Sequence, residues 1–210
     1  MTTAAGVERQ LLCDLFDEVG PDQPTLSGEW TTRDLAAHIV VRERRPDAGP
    51  GIISGFLAGY SEKVRLAEAA KPYAEIVERI RQGPPMWNPM HFDAIDRATN
   101  TIEFFVHHED VRRAQRDWTV RTLSDELTAD LRSSIGRMGG LLTRGLDVGL
   151  TLRPDEGDEV RLRTGEPVVA LAGPVGEGVL YVDWRRDVAQ VTLYGPDDAV
   201  ATVSTAQFGI

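Results

Sequence analysis

The sequence predicts an α+β chain, with a helical domain over residues 1–145 and a small α+β domain over residues 146–210. Up to Gly145 the apolar residues recur at helical spacing, in stretches separated by connectors rich in Gly and Pro. Beyond it, residues 147–152, 159–163, 179–183 and 188–194 alternate with period two and are divided by Gly, Pro and Asp. With 210 residues, 41% hydrophobic and 27% charged, the chain can bury a core in either part.

Residues 4–19 read as an amphipathic helix with Val7, Leu11, Leu12, Leu15 and Val19 inward. The connector GPDQPTLSGEW follows, and Thr31 with Asp34 makes a variant capping box for a second helix, TRDLAAHIVVRERR, which Pro46 stops. Residues 47–60 suit a loop or short helix over one end of a bundle. Residues 61–82 are helical with a break at Pro72, and Gly83-Pro84-Pro85 ends them. The stretch 99–118, TNTIEFFVHHEDVRRAQRDW, has no Gly or Pro and carries an apolar stripe of Ile102, Phe105, Val106 and Val111 that Ile95 begins. A last long helix starts near Ser124, and GPDDAVATVSTA forms a short terminal helix after the strands.

A net charge of -10 makes nucleic acid and anionic membrane poor partners. No apolar run approaches the length of a membrane span, and the N-terminus has neither a basic start nor a long apolar core, so no signal peptide is expected. With a single cysteine, Cys13, set among leucines as a buried structural thiol, these features point to a reducing cytoplasm.

Function is expected on the 99–118 stretch. Glu103 and His107 stand four apart, so they leave the helix on one face, with Asn100 and Asp110 on the same line. A carboxylate beside an imidazole on a largely apolar face must be paired, hydrogen-bonded or metal-bound. Adding His38 from a neighbouring helix completes a two-imidazole, one-carboxylate set with open positions, suited to zinc, nickel or iron(II). A core histidine hydrogen-bonded to a glutamate fits the same spacing. His108 is expected to be exposed, and His91 has no evident partner. The spacing excludes a ferritin-like di-iron site and a zincin, whose motifs are absent.

The blocks WTTRDLAAHIVVRERRPDA and NTIEFFVHHEDVRRA together resemble the mycothiol-dependent maleylpyruvate isomerase-like branch of the DinB superfamily, and in particular an actinobacterial subgroup of metal-binding proteins. That resemblance implies a DinB-type four-helix bundle, a small C-terminal α/β domain of sterol-carrier-like shape, and one divalent metal on His38, Glu103 and His107. Zinc is the first choice of metal. It also implies a low-molecular-weight thiol such as mycothiol as co-substrate. The RERRPDA and HHED blocks depart from the characterised isomerases, so maleylpyruvate as substrate does not follow.

The expected function is a metal- and thiol-dependent isomerase or transferase acting on a small electrophile, in a monomer or homodimer. The alternatives are a hydrolase using bound water, and a non-enzymatic ligand-binding protein with a structural metal. Asp34 and Asn100 are expected either to orient ligands or to cap helices and meet solvent. Arg42, Arg45 and Arg113 are expected to bind the thiol or a carboxylate substrate, with Arg44 and Arg112 beside them. Ion pairing of these arginines with Glu43, Glu109 and Asp110 is the competing expectation. Arg185, Arg186 and Trp87 are weaker candidates for the pocket.

Overall fold

The computed structural model describes residues 3–48 and 58–207 and divides the chain into two compact units, residues 1–119 and 120–210. Among the described residues it is α+β, with eight α-helices and one four-stranded mixed sheet. The expectation for residues 47–60 falls mostly outside the described residues.

The first unit contains α1 (Ala4–Val19), α2 (Thr32–Arg44), α3 (Ala58–Ala69), α4 (Tyr73–Arg81) and α5 (Asp93–Ala114). Helix α1 packs on α5 and α4, and α2 packs on α3 and α4. Local chemistry sets the starts. The Thr3 side chain accepts from the Gly6 N–H at α1, and Thr31 and Asp34 cap each other's backbone at α2, as their spacing predicts. Leu12, Phe16, Leu35, Ile39, Ile76, Ile80 and Phe104 close one apolar core between the helices.

The inward face of α1 is the expected one only in part. Leu12 is buried and Leu15 and Val19 pack against the core, but Val7 and Leu11 are more than 40% exposed, whereas Glu8 and Arg9 are buried. The charges are tolerated because each has a partner. Arg9 Nη2 lies 2.6 Å from Glu43 Oε1, its guanidinium stacks over Phe104, and Glu8 meets His108 Nδ1 at 2.9 Å. His108 is therefore buried rather than exposed. Its neighbour across the helix is a carboxylate that a periodicity argument cannot see.

The second unit begins with α6 (Asp125–Leu142), which the Ser124 hydroxyl caps at Leu127 N–H. This helix packs on β2 (Val160–Arg163) and on α7 (Val175–Val182). The unit boundary therefore lies at 119/120, ahead of α6, and not near Gly145 as expected. The shift from period 3.6 to period 2 marks a change of element, not of unit. With β1 (Gly149–Arg153), β3 (Val168–Ala172) and β4 (Thr192–Tyr194), the sheet order is β2-β1-β3-β4. Strands β1 and β3 run parallel and the outer pairs antiparallel. Helix α8 (Asp197–Thr205) packs on β3.

Two strand assignments change. Residues 179–182 belong to α7, with Asp183 as its C-cap, and not to a strand; every residue of that helix is buried. A short apolar run buried all round has no period that separates helix from strand. Strand β3, in PVVALAG, was not expected for the same reason: Val169, Ala170 and Leu171 are buried in succession, without alternation.

Close packing of α6 on the sheet makes a sharp contrast between neighbouring glycines. A Cβ on Gly139 would stand 2.9 Å from Leu162 Cα, whereas one on exposed Gly140 meets nothing nearer than 4.0 Å. Gly139→Ala should destabilise the protein by about 1–3 kcal/mol through overpacking. Gly140→Ala should stabilise it by about 0.5–1 kcal/mol through helix propensity. Chemical denaturation of the two variants checks both signs.

Candidate metal centre

Helix α5 carries the centre because its 22 residues run without a Gly or Pro, keeping Glu103, His107 and Asp110 on one face. Helix α2 supplies His38 and, one turn on, Arg42. Packing brings the two faces together. The donor atoms of His38, Glu103 and His107 all lie within 4.8 Å of one another. Glu103 Oε1 stands 3.6 Å from His38 Nε2, 3.2 Å from His107 Nε2 and 3.2 Å from Arg42 Nε.

This geometry fits a divalent ion. Donors about 2.1 Å from a tetrahedral ion stand roughly 3.4 Å apart, and the two imidazole-to-carboxylate distances lie either side of that value. Two imidazoles and one carboxylate are the donor set of an open zinc-type site. The far side of His107 is also built. Its Nδ1 lies 3.0 Å from Asp110 Oδ2, and Asp110 in turn accepts from the Ser27 hydroxyl at 2.9 Å. A carboxylate on the second ring nitrogen fixes the tautomer and aims Nε2 at the centre. Asp110 is fully buried, so this orientation is held by the fold.

Around His38 the support is aromatic. Its ring lies 5.2 Å from Trp30, and 5.5 Å from His107 in an edge-to-face arrangement. A cavity of about 200 Å³ opens beside it, lined by Trp30, His38, Val41, Ser61, Glu62 and Arg65, with Ala58 at its edge.

The electrostatics prepare the donors unequally. Burial holds the His38 imidazole below its ordinary range, which keeps it neutral and ready to bind. For His107 burial opposes the charge, but the hydrogen bonds to Asp110 and Glu103 outweigh it and push the pKa up to about 9. Burial works against ionised Glu103 too. The charge of Arg42 and the hydrogen bonds from both imidazoles prevail and hold it well below the usual carboxylate range.

The other candidates separate cleanly. Arg42 reaches the centre, bonding Asn100 Oδ1 at 2.5 Å and the Thr99 carbonyl at 3.1 Å besides Glu103. Asn100 thus acts on Glu103 through Arg42. Arg45 lies on the surface, paired with Asp47 at 2.7 Å. Arg113 is buried on Glu109 at 2.6 Å and stacks over Trp118, so it presents no free charge to a ligand. Arg44 bonds the Arg79 and Gly83 carbonyls, and Arg112 pairs with Glu109. Of the expected arginines only Arg42 reaches the centre, because nearby carboxylates and carbonyls engage the others.

Asp34 caps α2 and pairs with Arg65 at 2.6 Å. Cys13 is buried with its thiol toward the Val77 carbonyl at 3.8 Å, and burial pushes its pKa up to about 12. His91 lies against the Pro84 carbonyl, and Trp87 is exposed. In the second unit Arg185 bonds the Asp183 carbonyl, and Arg186 bonds the Ser204 carbonyl and stacks over Tyr181. Sequence reasoning missed the part played by Trp30, Ser27 and Arg65. The i,i+3 spacing of His107 and Asp110 was the one local sign of the orienting carboxylate.

Comparison with protein-family models, curated proteins and solved structures returned no match.

His38→Ala or His107→Ala should reduce bound divalent metal from about one per chain to none, as read by elemental analysis of the purified protein. Asp110→Asn should weaken metal affinity by about 10–100-fold without removing a donor. The pH dependence has a definite sign. Because the His107 pKa is raised, its ion pairs stabilise the metal-free protein below about pH 6.5 and are lost as pH rises through about 9. A metal must displace that proton, so affinity should rise about tenfold per pH unit up to about pH 9 and then level. Competition against a chelator across pH 6–10 (about four units) measures the slope.

Proposed function

We propose that the chain is a DinB-like, divalent-metal-dependent protein whose first unit is the metal-binding bundle and whose second is a small sterol-carrier-like domain. In this reading it is a thiol-dependent isomerase or transferase acting on a small electrophilic substrate, with a low-molecular-weight thiol such as mycothiol as co-substrate. The observation that carries it is the set His38, Glu103 and His107, oriented by Asp110 and opening beside a cavity of about 200 Å³.

His38 and His107 would hold the ion through Nε2, and Glu103 through its carboxylate. Zinc suits this donor set, with nickel or iron(II) as alternatives. When bound, a divalent ion supplies Lewis acidity that lets a thiol or water lose its proton near neutral pH. The protein's own groups do the rest. Arg42 keeps Glu103 ionised and offsets its charge, so an anionic donor such as a thiolate is favoured over a neutral one. Asp110 holds the His107 ring against rotation. Trp30 and Val41 give the cavity an apolar wall, which admits a small organic molecule and limits water beside the reacting atoms.

Cobalt(II) substitution tests the reading, because a thiolate bound to cobalt gives an intense near-ultraviolet charge-transfer band. Added mycothiol should produce the band in the wild type and equally in Cys13→Ser. Absence of the band at saturating thiol would overturn thiol dependence and leave a water-activating hydrolase or a structural metal. A band present without added thiol and lost in Cys13→Ser would make Cys13 a ligand, against its burial.

A further inference from the structure

The cavity beside His38 is lined by groups of different electrical character. Behind His38, Glu103 and Arg42 offset each other, so a divalent ion held there leaves a surplus of positive charge. Arg65 and Glu62 also line the cavity, and Asp34 backs Arg65. Arg65 is buried, and its guanidinium donates to Glu62 through Nε at 2.8 Å and Nη2 at 2.6 Å, and to Asp34 through Nη1 at 2.6 Å. One cation is thus held between two carboxylates, and the wall carries a formal surplus of one negative charge.

That arrangement decides what the wall can recognise. Arg65 spends three of its five N–H donors on these carboxylates, so a ligand carboxylate that reached the other two would stand against Glu62 and Asp34. Glu62 has half of its side chain in solvent and acceptor capacity beyond the two bonds it makes with Arg65. Its pairing with Arg65 holds its pKa below the usual carboxylate range, so it remains charged. Trp30 adds an aromatic edge to the same cavity, and Arg65 already stacks on that ring at 5.0 Å. A site of this composition accepts cations and repels carboxylates.

We propose that the cavity selects a ligand that is anionic where it meets the metal and cationic at its other end: a small amine or quaternary ammonium compound, not a carboxylic acid. Glu62 is the specificity-determining residue, and Trp30 lines the cavity beside it. This rests on the thiol-dependent metal reading and names the ligand class for it. A volume of about 200 Å³ holds a group the size of choline, which sets the upper size of the end it receives.

The test uses the full-length cobalt(II) protein and three small thiols of differing charge: thiocholine, 2-mercaptoethanol and 3-mercaptopropionate. A quaternary ammonium cannot ligate the metal, so thiocholine meets the ion only through its sulfur and leaves its charged end to the wall. Affinities come from titrating the charge-transfer band, corrected for the thiolate fraction of each compound. Thiocholine should bind at least about tenfold more tightly than 3-mercaptopropionate, with 2-mercaptoethanol between them. Glu62→Gln should bring the two charged thiols within about threefold of each other and leave 2-mercaptoethanol unchanged. Equal or tighter binding of 3-mercaptopropionate by the wild type overturns the proposal, as does selectivity that survives in Glu62→Gln. Those outcomes leave the metal–thiol reading intact, because a band forms in each. No band with any of the three overturns that reading and this inference with it.

Discussion

The structure of the first unit depends on one costly placement, the Glu103 carboxylate in the seam between α2 and α5. Removing a carboxylate from water is expensive, and a lone ion there would take up a proton instead. Three positive or donating groups prevent that: His38, Arg42 and His107 all reach the same carboxylate oxygen. Two of them come from α2 and one from α5, so the helices must pack in this register for the charge to be compensated. The same convergence that satisfies Glu103 places two imidazole nitrogens where a divalent ion needs them. Compensation and coordination are therefore one arrangement.

The polar groups around this seam form a connected set. Asn100 accepts from Arg42 and donates to Asp96, whose other oxygen accepts from Thr3. Asp96 also lies 3.6 Å from Arg9, which holds Glu43 inside the apolar core. A half-satisfied network of this kind would cost more than an apolar core, so each member constrains the rotamer of the next. The consequence for the site is rigidity. Glu103 is held by groups that are themselves held, and His107 is fixed on its other edge by Asp110 and Ser27. Preorganised donors need little rearrangement to accept a ligand.

Local rules made part of this legible from the residues alone. The i,i+4 spacing of Glu103 and His107, the capping box of Thr31 and Asp34 and the breaks at Pro72 and Gly83-Pro84-Pro85 all rest on interactions within a turn or two. The limits of α1 and the start of α6 were likewise readable, because caps and breakers act on their own helix. The inward face of α1 was readable only in part, at Leu12, Leu15 and Val19. Its apolar stripe suggested Val7 and Leu11, but the burial of Glu8 and Arg9 depends on His108 and Glu43, which lie far along the chain.

What the sequence by itself determined is the set of helices in the first unit and the pairing of a carboxylate with an imidazole on one of them. Both follow from backbone hydrogen bonding and from side chains that meet within a few residues of each other. Only the tertiary structure decided which arginine reaches Glu103 and that Trp30 backs His38. It also decided that Arg65 and Glu62 form a wall beside them, and that α6 joins the sheet. Those outcomes turn on which buried faces meet and on which charges find partners there. Coulombic and packing energies of that kind are set by distance in space, and separation along the chain does not encode it.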